Sequence, residues 1–165
     1  MKEEYKQLIV EATKKSAENK KFYERLKKLS PRDLDQVTNR LDEEAFEKID
    51  CLQCANCCSG TGPLLKDKDI DRLAAATKMR PSQFTEKYLR IDEDHDYVFQ
   101  QLPCPFLCSD KYCSVYESRP GACRDYPHTQ QNKMHNKLKI TYLNSMICPA
   151  VALVTEGLKA HYQPK

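Results

Sequence analysis

Four cysteines stand in the run Cys51-Leu52-Gln53-Cys54-Ala55-Asn56-Cys57-Cys58, so a two-residue spacing occurs twice in succession and shares Cys54. A C-x-x-C turn brings two sulfurs within reach of one ion and aims backbone N–H groups at them, which suits zinc knuckles and iron–sulfur loops alike. Adjacent Cys57 and Cys58 do not easily point the same way from one turn. Their adjacency predicts that they serve different ions or opposite sides of a multinuclear centre. After 45 intervening residues a second group follows, with Cys104, Cys108, Cys113 and Cys123 among prolines 103, 105, 120 and 127. Proline fixes φ around each thiol and lowers the entropy lost in holding a ligand loop. Cys148 stands alone before Pro149, and Lys111, Arg119 and Arg124 lie where a cation could offset thiolate charge or donate to sulfur. The bland reading of any one of these is a buried, inert thiol. It suffices for Cys108 or Cys148 taken singly and fails for the 51–58 run.

The elements that must carry these thiols change character near Asp50. Residues 1–49 hold no Cys, no Gly and one Pro, with heavy Lys and Glu, the composition of solvated helix. Ser30-Pro31-Arg32-Asp33 reads as a helix start, with Ser30 as N-cap, Pro31 at the first helical position and Asp33 near the positive end of the dipole. Leu34, Val37, Leu41, Ala45 and Ile49 then form one stripe at three- and four-residue spacing. Upstream, Tyr5, Leu8, Ile9, Ala12, Phe22, Leu26 and Leu29 mark a longer helix with a polar middle, and an antiparallel helix pair is the simplest product. Beyond residue 50 the spacing predicts short helices over 68–79 and 81–89 and a closing helix over 150–161. Tyr97-Val98-Phe99 and Lys139-Ile140-Thr141-Tyr142-Leu143 have the β-branched and aromatic content of short strands. The expectation is a mainly α protein with small irregular or β elements: a helical hairpin over 1–49 and a cysteine-rich, metal-organised domain over 50–165.

Charge excludes some partners. The 165 residues carry 27 Lys/Arg and 24 Asp/Glu, a formal +3. Residues 1–50 hold twelve of each sign, so no polybasic footprint for nucleic acid or anionic lipid forms. Eight thiolates holding two Zn²⁺ would add −8 and +4, turning +3 into about −1. The longest apolar run, 146–154, contains Pro149, and the amino terminus lacks the apolar region of a secretory signal. A cytoplasmic location follows as the expectation. In that reducing compartment nine thiols read as metal ligands before they read as disulfides.

The ordered motifs carry a resemblance. Cys51-x2-Cys54-x2-Cys57-Cys58, Pro103-Cys104-Pro105-Phe106-Leu107, Cys113-x-x-Tyr116, Arg119-Pro120-x-x-Cys123-Arg124-x-Tyr126-Pro127 and the distal Cys148-Pro149 resemble the YkgJ-type cysteine-cluster family, the zinc- or iron-chelating domain with the CxxCxxCC signature. The resemblance covers roughly residues 50–150. It implies Cys51, Cys54, Cys57, Cys58, Cys104, Cys113, Cys123 and Cys148 as the metal-binding set, with no catalytic residue assigned. Cys108 departs from the pattern and reads as an extra thiol. A relative in the same group, the flagellin lysine methylase, adds an enzymatic reading.

Eight thiols divide naturally into two closed four-ligand sites, and closed zinc sites are structural because no position is left for water. The local spacing groups Cys51, Cys54 and Cys57 with Cys148, and Cys58 with Cys104, Cys113 and Cys123. This division favours two zinc ions. The doubled spacing and the terminal Cys-Pro resemble a ferredoxin ligand pattern, so iron or an iron–sulfur cluster serving redox or methyl transfer is the alternative. No phosphate loop or dinucleotide fingerprint accompanies the cluster, and the chain has only four Gly. A Cys108 nucleophile with His128 or His135 has no support from spacing. Residues 67–89 mimic a helix-turn-helix, but Ser82, Gln83, Thr85, Glu86 and Lys87 offer a groove little positive charge. That argues against nucleic acid, while Phe84 and Tyr88 predict a helix packed on the cysteine core. The reading is a metal-binding protein without an assigned reaction, whose paired N-terminal helices read first as structure, with an arm for a protein partner as the alternative.

Overall fold

The computed structural model describes residues 1–130 and 132–162. In chain order its helices are α1 (Glu3–Lys14), α2 (Ser16–Leu26), α3 (Pro31–Phe46), α4 (Cys51–Cys54), α5 (Asn56–Gly60), α6 (Asp67–Ala76), α7 (Pro81–Tyr88), α8 (Gly121–Asp125), α9 (Leu138–Asn144) and α10 (Pro149–Tyr162). Strands β1 (Leu89–Ile91) and β2 (Tyr97–Phe99) form one antiparallel hairpin, with Leu89 opposite Phe99. The protein is mainly α. Among the described residues no single helix is long and apolar enough to cross a membrane. The chain divides into two units, one formed by Met1–Cys54 with the described residues of Pro127–Lys165, the other by Ala55–Tyr126.

In the first unit α3 begins as its sequence dictates, with Pro31 in the first turn and Asp33 beside it, although the Ser30 side chain makes no capping bond. Leu34, Val37, Ala45 and Ile49 are buried as the stripe requires. Thr38 and Asp42 share that buried face. α3 packs chiefly on α10, α1 also on α10, and α2 on α9. The N-terminal helices therefore find their main partners near the carboxyl end rather than in each other. α3 and α10 come close at Gly157, where a Cβ would stand 2.6 Å from Leu41 Cδ2 and would displace the end of that side chain. Tyr23 and Thr155 share a buried hydroxyl bond of 2.9 Å. Lys159, 6 % exposed, is matched by Glu18 at 2.7 Å and Glu156 at 3.2 Å, as a buried ammonium must be.

Two sequence expectations change here. The single helix expected before Ser30 breaks at Lys15. No apolar stripe runs through its polar middle, and the buried Asn19 amide donates to Ala12 O at 3.3 Å near the break. The strand expected over 139–143 is helix α9. Leu138, Thr141, Asn144 and Ser145 are its buried positions, a period of three to four, while Ile140 and Leu143 lie exposed. Burial at helical spacing overrides the β-branched composition.

The second unit has an apolar centre of its own. Leu65, Ile70, Leu73, Ala74, Phe84, Leu89, Phe99 and Phe106 are buried together, and Cys104 and Cys113 pack against them. Phe84 and Phe106 stack at 6.0 Å, and Phe99 meets Phe106 edge-on at 5.7 Å. α7 is packed inward, with Phe84 fully buried and Tyr88 against the same cluster. Phe106 comes from the Pro-Cys-Pro-Phe-Leu box, so the segment that carries Cys104 is anchored by its own aromatic neighbour.

Candidate metal centre

All nine cysteines are free thiols. In the second unit Cys58 lies on α5, which opens from Ala55 in a left-handed conformation (φ 51°). Cys104 is tied to it directly, its N–H donating to Cys58 O at 2.8 Å. The chain then folds back so that Leu107 and Cys113 pair as an isolated bridge, with Ser114 N donating to Phe106 O at 2.9 Å. Cys123 sits in α8, whose first turn is closed by Cys123 N to Pro120 O at 3.0 Å. Three separate segments thus deliver Cys58, Cys104, Cys113 and Cys123 to one region.

Electrostatics tie these thiols together. Burial pushes Cys123 up to about 12, and the charges of Cys58, Cys104 and Cys113 push the same way against Arg119. Burial likewise raises Cys104 to about 11, opposed by the N–H groups of Phe106 and Leu107 and reinforced by Cys58 and Cys113. Cys113 is raised by burial while the Val115 N–H opposes, Cys58 adds to the rise, Arg119 counters it and Cys108 raises it further. Cys58 is the exception. A hydrogen bond from Cys57 outweighs burial and, with Arg119 and its own backbone, holds Cys58 down at about 7. A low thiol among high ones is the one that ionises first and attracts a cation first.

The Cys57 side chain acts directly on Cys58 through a hydrogen bond, so the two adjacent thiols lie within reach of each other. Arg119 stands beside the thiols, its guanidinium 3.4 Å above the Tyr116 ring, and its Nε is buried with no hydrogen-bond partner. Arg124 is exposed at the end of α8. Cys108 is exposed, its N–H donating to Tyr112 O at 2.8 Å, close enough to Cys113 to influence it.

In the first unit a smaller group forms. Cys148 is buried ahead of α10, and burial pushes it to about 12 against the N–H groups of Val151 and Ala150. Cys51 and Cys54 of α4 add to that rise, so both lie near enough to act on Cys148. Cys51 is exposed and Cys54 half-buried.

Among the described residues no three Cys, His, Asp or Glu side chains are drawn tightly enough to hold an ion as they stand. The donor chemistry nevertheless fits a thiophilic ion. Partly buried sulfurs receive backbone N–H bonds of the kind that orient metal-bound thiolate, and the positive charge of Arg119 acts on Cys58, Cys113 and Cys123. Two residues that spacing gave no reason to single out, Asp69 and Arg72, hold the segment leading into Cys123. They come from α6, about fifty positions upstream, where no local signal marks them.

No curated protein and no solved structure matches the chain. Residues 50–148, which contain every one of the cysteines, match the CxxCxxCC family, described as "Putative zinc- or iron-chelating domain", and the chain belongs to that family.

Proposed function

We propose that this protein chelates a soft divalent ion, zinc before iron, through the four thiols of Cys58, Cys104, Cys113 and Cys123. The observation that carries the reading is that Cys58, Cys104 and Cys113 all act on Cys123, that Cys104 is tied to Cys58 by a backbone hydrogen bond of 2.8 Å, and that Arg119 stands beside Cys58, Cys113 and Cys123. Cys57 supports the group by stabilising the Cys58 thiolate. Cys51, Cys54 and Cys148 are a second thiol group suited to a second ion. Zinc is favoured because four thiols close a tetrahedral site and no substrate-binding motif accompanies them. When bound, the ion supplies a cross-link among loops that have little regular structure. A reducing, cytoplasmic setting would keep all nine thiols available.

Elemental and sulfide analysis of anaerobically purified protein tests the reading. Colourless protein with stoichiometric zinc, reduced in Cys58→Ser and Cys123→Ser, is the expected result. A brown preparation with stoichiometric acid-labile sulfide would replace zinc by an iron–sulfur centre. Metal-free protein that takes up neither metal would refute chelation.

A further inference from the structure

We propose that Asp69 and Arg72 of α6 are positioning residues for the four-thiol group, clamping the segment that delivers both Arg119 and Cys123; this rests on the chelation reading above. Asp69 is almost fully buried, at 6 % exposed. Its carboxylate accepts three hydrogen bonds, from Lys66 N at 3.1 Å, Gly121 N at 3.0 Å and Arg72 Nη2 at 2.6 Å. Arg72 continues outward from the same point. Nη2 donates to Arg119 O at 2.7 Å and Nε to Ser118 O at 3.3 Å.

Residues 118–121 link the short 3-10 turn Tyr116–Ser118 to α8, and neither Ser118 O nor Arg119 O belongs to a strand or a regular helix. Polar backbone in such a link needs partners from elsewhere, and α6 supplies them on both sides of Pro120. The Gly121 bond fixes the backbone two residues before Cys123. The Arg119 carbonyl bond fixes the residue whose guanidinium stands beside Cys58, Cys113 and Cys123. Burial works against ionisation of Asp69, yet the Lys66 and Gly121 N–H groups and Arg72 hold its carboxyl below the usual value. A charged acceptor is therefore present at neutral pH to orient Gly121 N and Arg72 together. Partners of this kind behind metal ligands set ligand direction without touching the ion.

The test is a Co²⁺ titration of reduced, oxygen-free full-length protein, following sulfur-to-cobalt charge-transfer absorption. The portion lost in Cys123→Ser reports the four-thiol group. Asp69→Asn and Arg72→Gln are expected to weaken that portion about 10- to 100-fold and change its band shape. Arg72→Lys, which keeps one cationic donor, is expected to recover part of both. Apo far-UV circular dichroism should match wild type in all variants. If Asp69→Asn does not fold, Arg72→Gln decides, because it leaves the Lys66 and Gly121 bonds to Asp69 in place. Wild-type affinity and band shape in Arg72→Gln would overturn the proposal. So would losses that track lost helicity and show no recovery in Arg72→Lys. Absence of thiolate–cobalt absorption in wild type would refute chelation itself, an outcome distinct from failure of the clamp.

Discussion

Metal uptake by the Cys58 group should release protons in a number that the thiol environments determine. Ligating sulfur must be thiolate, so every proton still held by the apo group at a given pH leaves when the ion binds. Cys58 lies at about 7, Cys104 at about 11 and Cys123 at about 12, and Cys113 is also raised. At pH 7 Cys58 is near its midpoint and the other three are protonated, so binding should release about 3.5 protons per ion. The sign follows directly: raising pH removes protons that compete with metal, so affinity increases. The slope of log affinity against pH equals the protons released, about four below pH 7 and falling toward three above it. One pH unit above neutrality should therefore strengthen binding about 1,000-fold. The assay is Zn²⁺ competition against a chromophoric chelator between pH 6.5 and 8, paired with indicator dye in weak buffer to count protons. Cys123→Ser should lower the slope by about one, since its thiol contributes a whole proton. A wild-type slope of about two or less would refute the reasoning, because it would mean that fewer than four of these thiols ligate.

Three further outcomes are expected. Cys108→Ser should leave metal content unchanged while Cys58→Ser and Cys123→Ser reduce it, measured by elemental analysis; equal losses in all three would make Cys108 a ligand. Phe84→Ala, at a fully buried position between Tyr88 and Phe106, should cost about 3–5 kcal/mol in urea unfolding, and a loss below about 1 kcal/mol would deny that this aromatic cluster organises its unit. Asp42 is buried and its carboxyl is raised by burial against a hydrogen bond donated by Thr129. Its contribution to stability is then complete below the ordinary carboxylate range and declines as pH rises through the folded value. Asp42→Asn keeps an acceptor for Thr129, so the difference in melting temperature, variant minus wild type, should grow with pH from 3.5 upward and then level off; a difference that shrinks with pH would reverse the assignment.

What could be read from sequence was whatever lay within a turn or two of itself. The start of α3 at Pro31, its stripe from Leu34 to Ile49, α6, α7, β2 and α10 all follow from local periodicity and punctuation. The segment 139–143 did not, because Ile140, Thr141 and Tyr142 have strand composition while their burial is set by packing at helical spacing. The partner of α3 was equally hidden. Adjacent helices are the simplest pair to propose, yet α10 buries Ala150, Val151, Val154 and Leu158 and has a side-chain-free position at Gly157, a more continuous apolar surface than α2 with its two lysines, two glutamates and one arginine.

The thiols show the same limit in chemical form. Spacing could list them, because C-x-x-C turns and Cys-Pro boxes are local, and it could place Arg119 near them for the same reason. It separated Cys57 from Cys58 by adjacency alone and could not give the physical cause. Which sulfur faces Cys104, Cys113 and Cys123, and which becomes a donor to its neighbour, depends on the left-handed turn at Ala55 and on where the 104 and 113 segments return. Nor could it find Asp69, whose place beside Gly121 spans 52 positions. Ligands are chosen by chemistry and can be read from residue type; the groups that aim them are ordinary carboxylates and guanidinium ions, recognisable only by the carbonyls and N–H groups they meet. Of two Arg residues flanking Cys123, then, the one that matters to the sulfurs is Arg119, whose carbonyl α6 grips, while Arg124 points into solvent. Replacing Arg124 by Gln should leave thiol acidity and metal affinity unchanged, and the same replacement at Arg119 should raise the Cys58 proton affinity, read as a shift to higher pH in the rate of thiol alkylation.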